Sequence, residues 1–427
     1  MKILIVGGGG REHALAWKLV QSPDVTRIYC APGNAGTAAL GENVPLAATD
    51  VGGLLAFAQA HAIDLTVVGP DDALAAGLVD AFQAVGRPVF GPTRAAAQLE
   101  WSKIFCKAFL QRHGIPTAAA GHFERSAVAL RFCAQSRYPL VIKADGLALG
   151  KGVIIVEDAA QAAEAIQRLM EDGRLGAAGR RVLIEEFLRG PECSLHAFVD
   201  GETYRLLPLA QDFKRIGDGD RGLNTGGMGA VSPPVAALAP DLEERIRGEI
   251  MDPLMAGLRR DGIHYQGLLF PGLLLTEDGP KVLEINARFG DPETQVLLPR
   301  LRSDLLPVLQ AVVAGRLDQA ILEWDARPAV CVIMASRGYP EAYKTGLSIA
   351  GLEQCGAGLP PGSVTVFHAG TRLEGGQTLT NGGRVLGVAA LGETVPVART
   401  LAYEAVARIS FEGAYARRDI AAVAEVD

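Results

Sequence analysis

Nowhere in the 427 residues does an apolar run approach the roughly 20 that a membrane span requires. No apolar h-region follows Met1-Lys2, so an export signal is not expected and the default location is the cytoplasm. A basic surplus is missing too: the formal net charge of −7 argues against a general nucleic-acid binder. It leaves room for small phosphorylated substrates, which need only a local positive site. The six cysteines (Cys30, Cys106, Cys133, Cys193, Cys331 and Cys355) form no C-x-x-C pair and sit mostly in apolar surroundings. They read as reduced core thiols of a cytosolic protein, not as a metal cluster. What is present, 49% hydrophobic and 21% charged residues, is an ordinary soluble globular composition. At this length two to four domains are expected.

Two familiar nucleotide motifs are incomplete. Ile3-Leu4-Ile5-Val6 is an apolar strand running into Gly7-Gly8-Gly9-Gly10-Arg11-Glu12-His13, after which a helix carries Leu15, Leu19 and Val20 on one face. This is the first strand–loop–helix of a doubly wound sheet, where backbone amides and a helix N-terminus can hold a phosphate. The dinucleotide fingerprint wants a glycine where Glu12 stands, and Arg27-Ile28-Tyr29-Cys30 ends without an acid for an adenosine ribose. NAD binding, and with it a Rossmann oxidoreductase, is not expected. A further strand, Leu65-Thr66-Val67-Val68, sets Asp71 at a carboxyl end of the sheet, as a ligand group or as a cap on the next helix. The sheet closes at Pro88-Val89-Phe90-Gly91-Pro92.

A helix is expected from Thr93 to His113, bearing Lys103, which by itself reads as a solvated lysine. The strand Tyr138 to Lys143 then leads into Asp145-Gly146-Leu147-Ala148-Leu149-Gly150-Lys151-Gly152. A Walker A loop needs four residues between its glycines and Ser or Thr after the lysine; this loop has neither. It is a different glycine loop, able to fold over a triphosphate and exclude water. Arg181 to Glu186 is another strand, with Glu185, Glu186 and Glu192 following each other toward its end; two solvent-facing glutamates would be the plain reading of the first pair. Gln211 to Ala230 is charge-dense and glycine-rich, too long for a simple connector. Leu242, Ile246, Ile250, Leu254 and Leu258 outline an amphipathic helix with a kink expected near Pro253.

The polar residues after Lys281 resist a structural explanation. Leu268 to Leu275 and Val282 to Ile285 are strands joined by Thr276-Glu277-Asp278-Gly279-Pro280, a hairpin. Strand alternation turns Glu284, Asn286 and Arg288 to one side. A carboxylate and an amide oxygen suit Mg²⁺, and an arginine beside them suits a phosphate. Glu-x-Asn alone is as readily a solvated strand face, but Arg288-Phe289-Gly290-Asp291-Pro292-Glu293 packs three more charges into a tight turn. Past Trp324-Asp325 the chain turns β-rich, with strands at Ala329–Met334, Val364–Phe367 and Val385–Val388. A closing helix carries Leu401, Ala405 and Ile409.

Leu283 to Gln295 closely resembles the signature of the phosphoribosylamine–glycine ligases, ATP-grasp enzymes of purine biosynthesis. Gly7 to His13, Pro32-Gly33-Asn34-Ala35-Gly36-Thr37, Gly69-Pro70-Asp71 and the Asp212–Gly229 loop match the same family in order, so the resemblance spans essentially the whole chain. Phe213, Leu223, Trp101 and Asp71 depart from the residues usual there. The resemblance implies an α/β and α+β multidomain fold. A Rossmann-like parallel-sheet domain would take residues 1–100 and a two-subdomain ATP-grasp clamp residues 101–325, its mobile lid near 118–190. A small β-rich supporting domain would follow at 326–427.

It also implies the activity: ATP-driven ligation of glycine to 5-phosphoribosylamine through a glycyl phosphate, in a monomer without nucleic-acid or membrane partners. Lys103, Lys143, Gly150 and Lys151 would hold ATP's phosphates, and Glu185, Glu186, Leu188 and Glu192 its adenosine. Glu284 and Asn286 would hold Mg²⁺ or Mn²⁺, with Arg288, Lys143 and Asp212 catalytic. Gly8, Gly9, Gly10, Asn34, Gly36, Thr37, Asp71, Lys214, Asn224, Thr225, Gly226, Met228, Gly229, Asp291 and Glu293 would line the substrate site. Two other readings stay open. Another ATP-grasp ligase is opposed by the Asp212–Gly229 loop, and a nucleotide-binding regulator without turnover is opposed by the intact Glu284/Asn286 pair.

Overall fold

The computed structural model describes residues 1–146, 152–172, 176–235 and 239–422. Its first layer is a five-stranded parallel sheet ordered Glu42–Asn43, Arg27–Pro32, Lys2–Gly7, Leu65–Val68, Val89–Phe90. Ile3, Leu4, Ile5 and Val6 are wholly buried because helices cover both faces of a parallel sheet. The chain leaves the central strand first to one side and then to the other. That reversal opens a crevice at the carboxyl ends of Lys2–Gly7 and Leu65–Val68, where Gly7 to Gly10 and Gly69 to Asp71 lie. Helix Gly10–Leu19 buries Leu15 and Leu19, but Val20 falls one residue past its last turn and is 43% exposed, not on the packed face expected.

Two antiparallel sheets follow. The first runs Ala120–Phe123, Val182–Glu186, Leu140–Ala144, Val153–Val156 and keeps a core of its own, including Ile142, Val156, Ile166 and Ile184. The second runs Glu192–Ser194, Gln266–Thr276, Ala197–Asp200, Tyr204–Leu206, with Gly279–Asn286 added beside Gln266–Thr276. Its Leu195, Leu269, Val282 and Ile285 share one core with Leu4 and Val6 of the parallel sheet. The strand bearing Glu284 is thus packed into the same body as the crevice.

The single helix expected over Thr93–His113 is two, Gln98–Trp101 and Lys103–Arg112. Ser102 breaks it: its backbone is extended, and its hydroxyl caps the second helix by accepting from Phe105 N–H. The Leu242–Leu258 stripe is buried as expected, and a π-helical stretch, Ile246–Met251, precedes Pro253, which sits in the first turn of helix Asp252–Arg260.

Gln211 to Ala230 is not a loop. Gln211–Asp212 and Gly229–Ser232 are strands of the C-terminal sheet, and Arg215–Gly217 pairs with Arg221–Asn224 as a hairpin between them. That sheet runs Gln211–Asp212, Gly229–Ser232, Ala329–Ser336, Arg384–Leu391, Val364–His368, so it draws strands from both sides of residue 325. Phe213 is buried in its core with the Arg417 guanidinium 5.4 Å from the ring centroid, which accounts for an aromatic ring at that position. Among the described residues no helix is long and apolar enough to cross a membrane.

Candidate functional site

Glu284 is half-buried near the end of its strand, with Asn286 two residues on and Arg288 beyond it. Burial opposes its charge, but Lys214, Lys143, Lys103 and Arg288 together hold its carboxyl below the usual glutamate range. Four cations thus face one carboxylate, three of them also paired elsewhere: Lys143 with Glu185, Lys214 with Asp212 and Glu192, and Arg288 with Glu100. Arg288 donates to Asn286 Oδ1 at 3.2 Å and is held from behind by Glu100 at 2.8 Å. No cluster of three or more His, Cys, Asp or Glu ligands exists among the described residues. The donor set at Glu284 and Asn286, two hard oxygens beside cations that would share a phosphate, fits Mg²⁺, which takes the rest of its shell from water and phosphate.

Lys143 and Lys103 approach from the small antiparallel sheet and the second short helix. Lys103 Nζ donates to the carbonyl of Gly146, and Lys143 Nζ to that of Leu283. Glu185 is not a solvated strand-end acid; it is 3% exposed, 2.7 Å from Lys143 and 2.8 Å from Lys107. Burial works against Lys143, yet Glu185 pushes its ammonium above the usual range, whereas burial wins at Lys107 and lowers it. Glu186, alternating to the other side, is exposed and accepts from Ala119 N–H at 2.8 Å. Leu188 follows two residues past that strand, half-buried. Gly150 and Lys151 lie outside the described residues.

On the opposite wall Lys214 bridges Asp212 (2.8 Å) and Glu192 (3.1 Å). Burial opposes its charge, but Asp212 and Glu192 lift its ammonium well above the usual lysine range. Glu293 takes the Ser194 hydroxyl at 3.2 Å and is pushed up to about 7 by burial and then by Asp212. Asp291 is held below the usual range, against burial, by Arg384 and Arg11. Asp71 begins the helix Asp71–Ala75 and does not cap it; its charge is felt at Arg288 and Glu100.

Several expected substrate contacts have no free group. Asn34 is 4% exposed and spends its side chain on Gly8 O, Gly9 O, His368 O and the N–H groups of Gly36 and Thr37. Thr37 is wholly buried against Asn34 and Asn43. Met228 is a core residue whose N–H and C=O pair with Phe213 and Ile333. Gly229 leaves no room for a Cβ beside Cys331 O and Ile420, and Gly36 none beside His13. Thr225 bonds to Lys214 O and takes Gly227 N–H. These residues build the walls. Gly8, Gly9 and Gly10, with Asn224 and Gly226, lie along them, but Gly9 N–H is already taken by Glu12 Oε2 at 2.7 Å.

The sequence reading missed Lys107, Glu100, Glu12 as a loop anchor, and Arg384. Only Glu12 carried a visible signal, as the acid occupying a glycine place.

Comparison defines first a class and then a family. The biotin carboxylase domain of the 2-oxoglutarate carboxylase from Hydrogenobacter thermophilus superposes with a TM-score of 0.73 at 14% identity, covering 97% of this chain and 91% of that one; the likeness is one of fold. Residues 1–100, 101–294 and 329–423 match in turn the N domain, the ATP-grasp (A) domain and the C domain of phosphoribosylglycinamide synthetase. The phosphoribosylamine–glycine ligase of Allochromatium vinosum is 55% identical over 425 residues, 98% of each chain, and that of Vibrio cholerae 50% identical, over 98% and 97%. The crystal structure of the Thermotoga maritima phosphoribosylamine–glycine ligase superposes with a TM-score of 0.84 at 35% identity, covering 98% of this chain and 100% of that one. The chain belongs to the phosphoribosylglycinamide synthetase family.

Proposed function

We propose that the protein ligates glycine to 5-phosphoribosylamine, driven by ATP, to give glycinamide ribonucleotide, ADP and phosphate. The observation that carries this reading is the convergence of Lys103, Lys143, Lys214 and Arg288 on Glu284. A glycine carboxylate oxygen attacks the γ-phosphorus, and the bond to the β–γ bridging oxygen breaks with ADP leaving. The amine nitrogen of phosphoribosylamine then attacks the acyl carbon of glycyl phosphate, the bond to phosphate breaks, and the nitrogen gives up a proton. Lys103 and Lys143 hold the polyphosphate, and Arg288, fixed by Glu100, neutralises the transferred group; phosphoryl transfer asks for little beyond position and charge. A divalent cation held by Glu284 and Asn286, Mg²⁺ or Mn²⁺, supplies further neutralisation when bound. Glu186 and Leu188 border the adenosine with Glu185 behind them as counter-ion of Lys143, Glu192 lies where that side meets Lys214, and Asp212, Lys214, Asp291 and Glu293 border the amine substrate.

In this reading residues 1–100 recognise the amine substrate, 101–325 form the clamp and 326–427 the third domain of a cytoplasmic monomer. The test is ADP release from ATP, Mg²⁺ and glycine, with and without freshly made phosphoribosylamine. Release that ignores phosphoribosylamine, or that is absent with it, removes the assignment.

A further inference from the structure

Asp212 and Arg384 both carry the C-terminal sheet to the cleft. Arg384 is the first residue of strand Arg384–Leu391 and lies opposite Ala335 of the neighbouring strand. Its side chain leaves the sheet and reaches two segments far away in sequence. One guanidinium nitrogen donates to the carbonyls of Gly226, of Gly227 at 3.4 Å and of Asp291 at 2.7 Å; the other meets Asp291 Oδ2 at 2.8 Å. Asp291 Oδ1 is taken by Gln295 at 2.6 Å.

The glycines around it are shaped to this guanidinium. A Cβ on Gly226 would stand 3.0 Å from its central carbon, and one on Gly227, whose φ is +107°, only 2.5 Å from the Pro292 ring. The amino-terminal loop closes the third side. Cβ atoms on Gly9 and Gly10 would fall 3.6 and 3.5 Å from the two Asp291 oxygens. Strand Arg384–Leu391, the Gly226–Gly227 turn, the turn after Arg288 and the first glycine loop therefore meet at one ion pair.

Stability alone gives weak grounds for such a pair, since apolar residues often replace a buried ion pair at no loss. Three carbonyls and a carboxylate fixed by one planar group instead define the relative placement of two backbone turns. In the ligase reading both turns border the amine substrate, while the nucleotide side rests on Lys103, Lys143 and Glu185.

We infer that Arg384 is a positioning residue for phosphoribosylamine, acting through Asp291 and the Gly226 carbonyl, so that the C-terminal domain is part of the amine-substrate subsite. This rests on the ligase reading above. The inference separates the substrates: Arg384 serves one of three.

The experiment compares steady-state kinetics of wild type, Arg384→Gln, Arg384→Lys and Asp291→Asn, each with its thermal midpoint. Arg384→Gln is expected to raise KM for phosphoribosylamine at least tenfold, leaving KM for ATP and for glycine within about twofold. Arg384→Lys keeps charge with one donor group and should recover part of the loss. Asp291→Asn, nearly isosteric, guards against misfolding of the arginine variant and should reproduce the same one-substrate effect. Equal rises in all three KM values, or a fall in thermal midpoint with KM ratios unchanged, overturn the inference. A wild type that releases no ADP with phosphoribosylamine removes the ligase reading itself, and this inference with it.

Discussion

Glu12 turns its carboxylate back on its own loop and accepts the Gly9 N–H at 2.7 Å, so the first glycine loop carries its anion within the chain. The other carboxylate oxygen meets Arg11 at 2.6 Å, and Gly7 and Gly69 lie too close to Glu12 to carry side chains. A dinucleotide's pyrophosphate needs the amide that Glu12 already occupies. Glu12→Ala should therefore cost about 2–3 kcal/mol, the range for hydrogen bonds to charged groups, in urea unfolding. Inorganic phosphate should then raise the variant's thermal midpoint more than the wild type's. Equal responses would show that the loop is closed to anions for some other reason.

Glu284→Gln removes one charge and no packing, since the side chain is half-buried at the cleft floor. ADP formation should fall by at least about 10²–10³, the usual loss when one group stabilising a transition state is removed. Circular dichroism should stay close to wild type, while the thermal midpoint should fall somewhat at neutral pH, because the surrounding cations favour the charged form of Glu284. Turnover within tenfold of wild type would take Glu284 out of the metal site.

Glu100 makes a pH-dependent prediction. Burial, with Asp71 adding to it and Arg288 opposing, pushes its carboxyl up to about 7 from 4.5. A folded-state value above the unfolded one means the folded chain holds the proton more tightly. Its stabilising share is complete below pH 4.5 and lost as pH rises through about 7. Glu100→Gln should thus gain on wild type between pH 5 and 8, by up to about 3 kcal/mol at roughly 1.4 kcal/mol per unit. The attraction to Arg288 is already contained in that value of about 7. Chemical denaturation at both pH values decides it, and a flat difference would mean Glu100 is ionised throughout.

Lys107, 5% exposed, is one of two cations on Glu185. Glu185→Gln leaves the Lys107 and Lys143 ammoniums without their shared carboxylate and should cost about 3–5 kcal/mol, as breaking a buried pair does. Adding Lys107→Met, which takes away one of the two stranded ammoniums, should recover part of that loss. Additive losses in the double variant would show that the two residues do not interact.

Features with a short repeat were legible in the sequence. Alternation placed Glu284 and Asn286 on one strand, with Arg288 just past its end, and a spacing of four found the buried stripe from Leu242 to Leu258. What escaped depends on partners far along the chain. Gln211–Ala230 read as a loop because its glycines and charges dominate locally, while the strand that orders Gly229–Ser232 begins at Ala329. Arg384 follows two glycines and looks like any residue after a turn; its importance lies in Asp291, 93 residues away. Ser102 was read as helix interior because its reason to break the helix, a bond from its hydroxyl to Asp145 Oδ1 at 3.0 Å, is also remote. Sequence also named Asn34, Thr37 and Met228 as contacts where the fold uses them as wall material, since a motif does not say whether its polar atoms are already paired.

The strand Gly229–Ser232 is buried along its whole length, yet one of its neighbours, Ala329–Ser336, is encoded about a hundred residues later. During synthesis at roughly 5–20 residues per second, that edge waits on the order of ten seconds for its mate. Until then the Lys214 end of the hairpin has only Asp212 and Glu192 to hold it, and an unpaired strand edge invites pairing with other chains. Birth order thus makes the last hundred residues the step that completes the middle of the enzyme. Chains arrested before Ala329 should collect as sticky, inactive intermediates and not as a smaller working clamp.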